Sequence, residues 1–296
     1  MGVSNVHGEY LKKEVGTMKR WLCFLGILGS VGLMVTAFSV WAGPPLELIQ
    51  KVEDAFQAKQ PLPLVSQEIK GLTVDQAYEL QTALFKLREG KGETLAGYFV
   101  GLTDAVTMKR YGIQEPIRGA IFKSMVQGNG TVLYQKDFRN ALIETEIGFR
   151  IGKDMTEPIK DLETLKRAVG AVLPAIHFPD LAYVDIKLTV AGDLIASNVG
   201  TRKVLIGEGA KQDDPNAVTV KLFHNEAEIA SGIGKNALGD QWGVLKWAVN
   251  DIIARGGQVK KDCIIITGVI SKAIPGKPGK YVADYGPFGK IEFEYK

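Results

Sequence analysis

Glu144 and Glu146 flank a single threonine in the segment IETEIGF, and Ile143, Thr145, Ile147, Phe149 and Ile151 alternate with Glu144, Glu146, Gly148 and Arg150. That two-residue period predicts a half-buried strand, and side chains at i and i+2 of a strand share a face. The two carboxylates therefore project together. Adjacent carboxylates repel, and each raises the other's pKa unless a cation lies between them. Hard divalent ions, Mg²⁺, Mn²⁺ or Ca²⁺, suit such oxygen donors. From spacing alone two readings stand: a solvated strand face, or a cation site.

The elements that must position this pair follow from the rest of the chain. With 296 residues, 46% of them hydrophobic, the chain is long enough for one large globular domain or two small ones. Residues near helical spacing from Leu46 to Ala58 predict a first helix. A capping-box pattern at Thr73-Val74-Asp75-Gln76 opens a second one, ended by Gly90, and Pro61 and Pro63 mark the linker between them. A short helix is expected from Asp104 to Tyr111, stopped by Gly112, and another from Asp161 to Val172, ended by Pro174. Trp242, Leu245, Val249, Ile252 and Ile253 predict a last helix closed by Gly256-Gly257. Strands are expected at LAGYFVGLT, Tyr183–Val190, Lys203–Ile206, Val218–His224, Cys263–Thr267 and Lys290–Tyr295. Helices first, then many strands with a few inserted helices, predict an α+β fold.

The N-terminus carries an address. Lys19 and Arg20 precede the uncharged run Trp21–Ala42, which ends in small residues and is followed by Gly43-Pro44. Basic head, apolar body and small-residue end form the pattern of a secretory signal peptide. The rival is an uncleaved anchor, since roughly 20 apolar residues can span a bilayer. Met18 reads as a more natural start than Met1, because Glu9 and Glu14 weaken the basic head of the preceding tail. Either way, residues 43–296 are expected to work outside the cytoplasm, exported to a periplasm or secreted. Residues 1–42 take four Lys/Arg and two acids with them, so the formal charge falls from +3 to +1. So even a balance offers no basic stripe for nucleic acid. The remaining domain holds one cysteine, Cys263, hence no internal disulfide, and the run DCIIITG reads as a buried strand. Gly232-Ile233-Gly234 lacks the third glycine and the context of a dinucleotide fingerprint, His224 beside Asn225-Glu226 reads as a hairpin turn, and Pro275–Lys280 as a loop near the mouth of the site.

Seven segments, in order, resemble the fumarylacetoacetate hydrolase-like superfamily, and within it the 2-oxopent-4-enoate hydratase and 4-oxalocrotonate decarboxylase group. They are GYFVGLT (Gly97–Thr103), GAIFKSM (Gly119–Met125), IETEIGF (Ile143–Phe149), VLPAIHF (Val172–Phe178), IASN (Ile195–Asn198), SGIGKNALGD (Ser231–Asp240) and IIITG (Ile264–Gly268). The resemblance implies a mixed β-roll over residues 96–296 with a small helical or α/β part at 43–95, and a homo-oligomer. It implies a divalent metal, Mg or Mn, held by the Glu-x-Glu strand and a third carboxylate after the Leu-Pro turn. It further implies a lyase of small 2-oxo or 2-hydroxydienoic acids from aromatic catabolism, in which the ion stabilises enolate charge during water addition or C–C cleavage.

The chain departs from that pattern at several positions. The third ligand position carries His177, a donor that favours Mn, Fe or Zn over Mg. The family's catalytic lysine corresponds to Phe99, which cannot move a proton. An acidic position falls on Ser124, and a histidine position on Asp240. Lys123 and Asp240 either take over the acid–base work or are ordinary surface charges. Ser197, Asn198 and Thr267 line the substrate pocket by resemblance. The alternative to a lyase is a degenerate relative that binds a small carboxylate or a partner without turnover.

Overall fold

The computed structural model describes residues 41–209 and 214–296, so the signal or anchor segment expected at 1–42 lies outside the described residues but for its last two. Contacts divide the chain between Trp41 and Ala42. No helix among the described residues is long and apolar enough to cross a membrane.

Three helices lead: α1 (Leu46–Gln57), α2 (Val65–Glu68) and α3 (Val74–Gly90). The expected capping box at α3 is formed, with Gln76 N donating to Thr73 Oγ1 (3.2 Å) and Thr73 N to Gln76 Oε1 (3.0 Å). Strand β1 (Leu95–Gly101), helix α4 (Ala105–Tyr111) and strands β2 (Ile117–Phe122), β3 (Val126–Gln127) and β4 (Thr131–Leu133) follow. Then come β5 (Leu142–Ile151), α5 (Leu162–Ala168), β6 (Val169–Pro179), α6 (Ala191–Ala196) and β7 (Thr201–Ile206). The hairpin β8 (Thr219–His224) and β9 (Ala227–Ile233) precedes α7 (Gln241–Ala254), β10 (Ile264–Thr267), β11 (Ile274–Pro275), β12 (Gly279–Asp284) and β13 (Lys290–Tyr295).

The strands form two mixed sheets. One runs β2-β1-β10-β5-β6-β7-β3, with β11 added to β5; the other runs β4-β13-β12-β8-β9. Phe149, Ile147, Leu245, Val249, Tyr281 and Ile291 belong to the core cluster that joins them to α7. A second cluster, including Phe56, Leu64, Tyr78, Ile117 and Leu194, seats the N-terminal helices on β2 and α6. This is the expected α+β architecture.

Three local expectations are corrected. The helix from Asp161 stops at Ala168, and the chain from Val169 enters β6, with Pro174 inside the strand. The Pro174 carbonyl accepts from Gly207 N (3.0 Å), and its N–H-less nitrogen lies on that same side, just past the end of β7 at Ile206. Tyr183–Val190 is a loop, because the Asp185 carboxylate captures Lys187 N (2.9 Å) in an Asx turn. And β5 is more buried than its alternation predicts: Glu146 and Gly148 are buried on the face whose ends, Glu144 and Arg150, reach solvent.

Candidate metal centre

Two central strands make the site. In the antiparallel β5–β6 ladder Glu144 pairs with His177 and Glu146 with Ala175, so both carboxylates and the imidazole fall on one face of the sheet. One donor atom from each of the three lies within 4.8 Å of the others. His177 Nδ1 stands 3.3 Å from Glu146 Oε1 and 3.5 Å from Glu144 Oε2. These are long for charge-assisted hydrogen bonds. They suit a shared ion: two donors each about 2.1 Å from a cation and roughly 90–110° apart stand about 3.0–3.4 Å from one another.

Burial sharpens the case. The Glu146 side chain is 1% exposed and that of His177 3%, whereas Glu144 keeps 19% and forms the wet side of the centre. Glu146 Oε2 is buried with no hydrogen-bond partner, an arrangement that costs free energy unless something binds there. Burial, helped by the Glu144 charge and opposed by His177, pushes the Glu146 carboxyl up to about 7. Burial by itself would lower the His177 pKa; hydrogen bonds and charges of Glu144 and Glu146 overcome it and raise the ring to about 9. Without an ion Glu146 and His177 thus hold protons near neutrality, and an ion would compete with those protons.

The surroundings are built to hold this geometry. A Cβ on Gly268 would lie 2.5 Å from Glu146 Cγ, so only glycine lets the turn after β10 press on the carboxylate. The Gly268 carbonyl accepts from Thr103 Oγ1. Phe99 stacks on His177 with ring centroids 4.7 Å apart. Behind Phe99, a Cβ on Gly119 would come within 2.2 Å of its ring. Phe99, Ala175, Val204 and Ile266 belong to one apolar cluster. Neither Thr103 nor Gly268 stands out in the sequence as a site residue; their proximity to Glu146 comes from strand ends that converge only in the fold.

The remaining expected site residues separate. Lys123 follows the end of β2 paired with Leu95, whereas Glu146 lies beyond the opposite, Val100–Thr267 end of β1 and β10. Lys123 instead borders a surface cleft of about 450 Å³ with Lys260 and Cys263. Asp240 caps α7, accepting from Trp242 N (3.2 Å), Gly243 N (3.1 Å) and Asn216 Nδ2 (2.9 Å). Lys123 thus sits at the end of the sheet opposite Glu146, and the Asp240 carboxylate is engaged by a helix terminus. Asn198 is spent on the β2 backbone, donating Nδ2 to Ala120 O (2.9 Å) and accepting from Ala120 N (2.7 Å), beside Phe99 rather than open to a ligand. Ser197 Oγ donates to Asp193 O (2.7 Å) and lies 2.6 Å from the Tyr183 hydroxyl. Thr267 Oγ1 meets Gln241 Oε1 and Ile147 O, all buried. The polar atoms of these three buried side chains are thus engaged with neighbouring protein groups. His224 ends β8 and turns the hairpin at Asn225-Glu226, as expected, and Cys263 is a partly buried thiol whose pKa burial raises to about 12.

No protein-family model matches the chain. Among curated proteins, the 2-keto-4-pentenoate hydratase of Paraburkholderia xenovorans is 24% identical over 79% of this chain and 87% of its own length. The 4-oxalocrotonate decarboxylase of Pseudomonas sp. strain CF600 is 25% identical over 79% of this chain and 89% of its own. Among solved structures, 4-oxalocrotonate decarboxylase from Pseudomonas putida G7, complexed with magnesium and adipate, superposes with a TM-score of 0.81 at 22% identity, covering 85% of this chain and 97% of that one. A putative fumarylacetoacetate hydrolase family protein from Yersinia pestis shares the architecture more distantly, with a TM-score of 0.53 at 14% identity over 67% of this chain and 92% of its own.

Proposed function

The chain has the fumarylacetoacetate hydrolase-like fold and homologues among 2-keto-4-pentenoate hydratases and 4-oxalocrotonate decarboxylase, and from that premise we propose that it is a divalent-metal-dependent lyase. Its substrate is a small 2-oxo or 2-hydroxydienoic acid, and its reaction is hydration or decarboxylation. The observation that carries this reading is the convergence of Glu144, Glu146 and His177 with a buried, unpartnered Glu146 Oε2.

In this reading Glu144, Glu146 and His177 hold the ion, which when bound supplies Lewis-acid polarisation to a chelated carboxylate and 2-oxygen. The protein does the rest by position. Gly268 and Thr103 keep Glu146 in place. The fully buried Phe99–Ala175–Val204–Ile266 cluster packs behind the centre and keeps water from that side. Phe99 carries no proton, so in this reading proton exchange is left to the partly exposed Glu144 side. The alternative of a binder without turnover finds no support among the homologues. We also place the domain outside the cytoplasm, on the strength of the Lys19–Ala42 pattern.

The test is absorbance-monitored turnover of 2-hydroxypenta-2,4-dienoate and of 4-oxalocrotonate by metal-stripped protein, with and without added divalent ion. Ion-dependent turnover that falls about 100-fold or more in Glu146→Gln is expected. An ion-loaded protein inert toward both acids would sink the proposal.

A further inference from the structure

His177 is clamped from two sides that the proposed activity does not by itself require. Its ring face lies against Phe99, centroids 4.7 Å apart at 38°. Its Nε2 lies 3.0 Å from Thr201 Oγ1, and both residues are buried. Thr201 opens β7, beside the β6 strand that carries the histidine. With Nδ1 turned toward Glu144 and Glu146, Nε2 is the nitrogen left to bear the proton, and the threonine oxygen is placed to accept it. With an ion on Nδ1, that hydrogen bond would hold the Nε2–H tautomer and keep the Nδ1 lone pair aimed at the centre. Phe99 cannot yield to let the ring swing, since Gly119 and Asn198 close in behind it.

We propose that Thr201 is a positioning residue and that, with Phe99, it fixes His177 as an Nδ1 ligand, so that the centre selects nitrogen-accepting first-row transition ions such as Zn²⁺, Co²⁺ or Fe²⁺ over Mg²⁺. This rests on the metal-centre reading above and goes beyond it. The physical reason is the donor set. Mg²⁺ demands an octahedron of hard oxygens and gives up its water reluctantly. An imidazole locked in place among two carboxylates offers it one poor donor that cannot rotate away. The same nitrogen strengthens binding of later first-row ions along the usual affinity order.

The experiment is chelator competition on the full-length, metal-stripped protein with Zn²⁺, Co²⁺ or Mg²⁺ alone, together with the visible absorption spectrum of the Co²⁺ form. Zn²⁺ and Co²⁺ are expected to bind tighter than Mg²⁺ by about tenfold or more. Thr201→Val, a near-isosteric change, is expected to weaken Zn²⁺ and Co²⁺ by about 10- to 100-fold and to shift the Co²⁺ bands, while Thr201→Ser restores both. His177→Glu should turn the preference toward Mg²⁺. Mg²⁺ binding as tight as Zn²⁺, or Thr201→Val weakening all three ions alike with an unchanged Co²⁺ spectrum, would overturn the inference while leaving the metal-dependent reading intact. Failure of every ion to bind, with Glu146→Gln indistinguishable from the parent, would remove both.

Discussion

At the scale of single residues, the Glu146 carboxylate is the most constrained group in the centre: buried, one oxygen unpartnered, and pressed by a backbone that tolerates no side chain at Gly268. Gly268→Ala should therefore lower divalent-ion affinity by about tenfold or more with the fold retained; isothermal titration alongside circular dichroism checks it, and unchanged affinity would show that Glu146 is not held from that side. The pH dependence has a definite sign. Glu146 is raised to about 7 and His177 to about 9, and an ion competes with those protons. Affinity should rise with pH between about 6 and 9, with proton release on binding that depends on the buffer's ionisation heat. For the ion-free protein the linkage runs the other way. Both folded values exceed the unfolded ones, so the stabilisation is complete below the unfolded pKa values and is lost as pH rises through about 7 and about 9. Urea melts of stripped protein at pH 5 and pH 9 should show the lower midpoint at pH 9.

At the scale of elements, the β5–β6 ladder decides which residues meet, and α7 decides which do not. Asp240 closes the first turn of α7, so Asp240→Ala should cost about 1 kcal/mol of stability in denaturant melts and leave ion affinity untouched. A loss of ion binding instead would return Asp240 to the centre. The legibility of these elements tracks how they are buried. The α3 capping box and the β5 alternation were readable because local chemistry and period coincide there with the fold. β2 is buried at every position, so IRGAIF shows no alternation to read. β9 is an edge strand held by its hairpin partner rather than by its own pattern. Val169–Val172 reads as the tail of a helix until its neighbours supply two ladders.

At the scale of the whole molecule, the domain from Ala42 onward closes its own core around two sheets, while the segment before it carries the apolar run read as an export signal. Expression of the full chain in a Gram-negative host, followed by fractionation and intact-mass measurement, should find the domain beyond the inner membrane, cleaved after Ala42 if the run is a signal peptide and membrane-bound at full mass if it is an anchor. Intact protein in the soluble cytoplasmic fraction would refute both. What the sequence determined alone is local: two carboxylates at i and i+2 on a strand, and a fold class from element order. Only the tertiary structure decided that His177, named by resemblance alone, converges with those carboxylates with Thr201 and Phe99 against its ring, and that Lys123 leaves the sheet at the end opposite Glu146. The reason is register. Strands distant in the chain align by burying whole faces at once, so the neighbours of any one side chain are set by the packing of all the others.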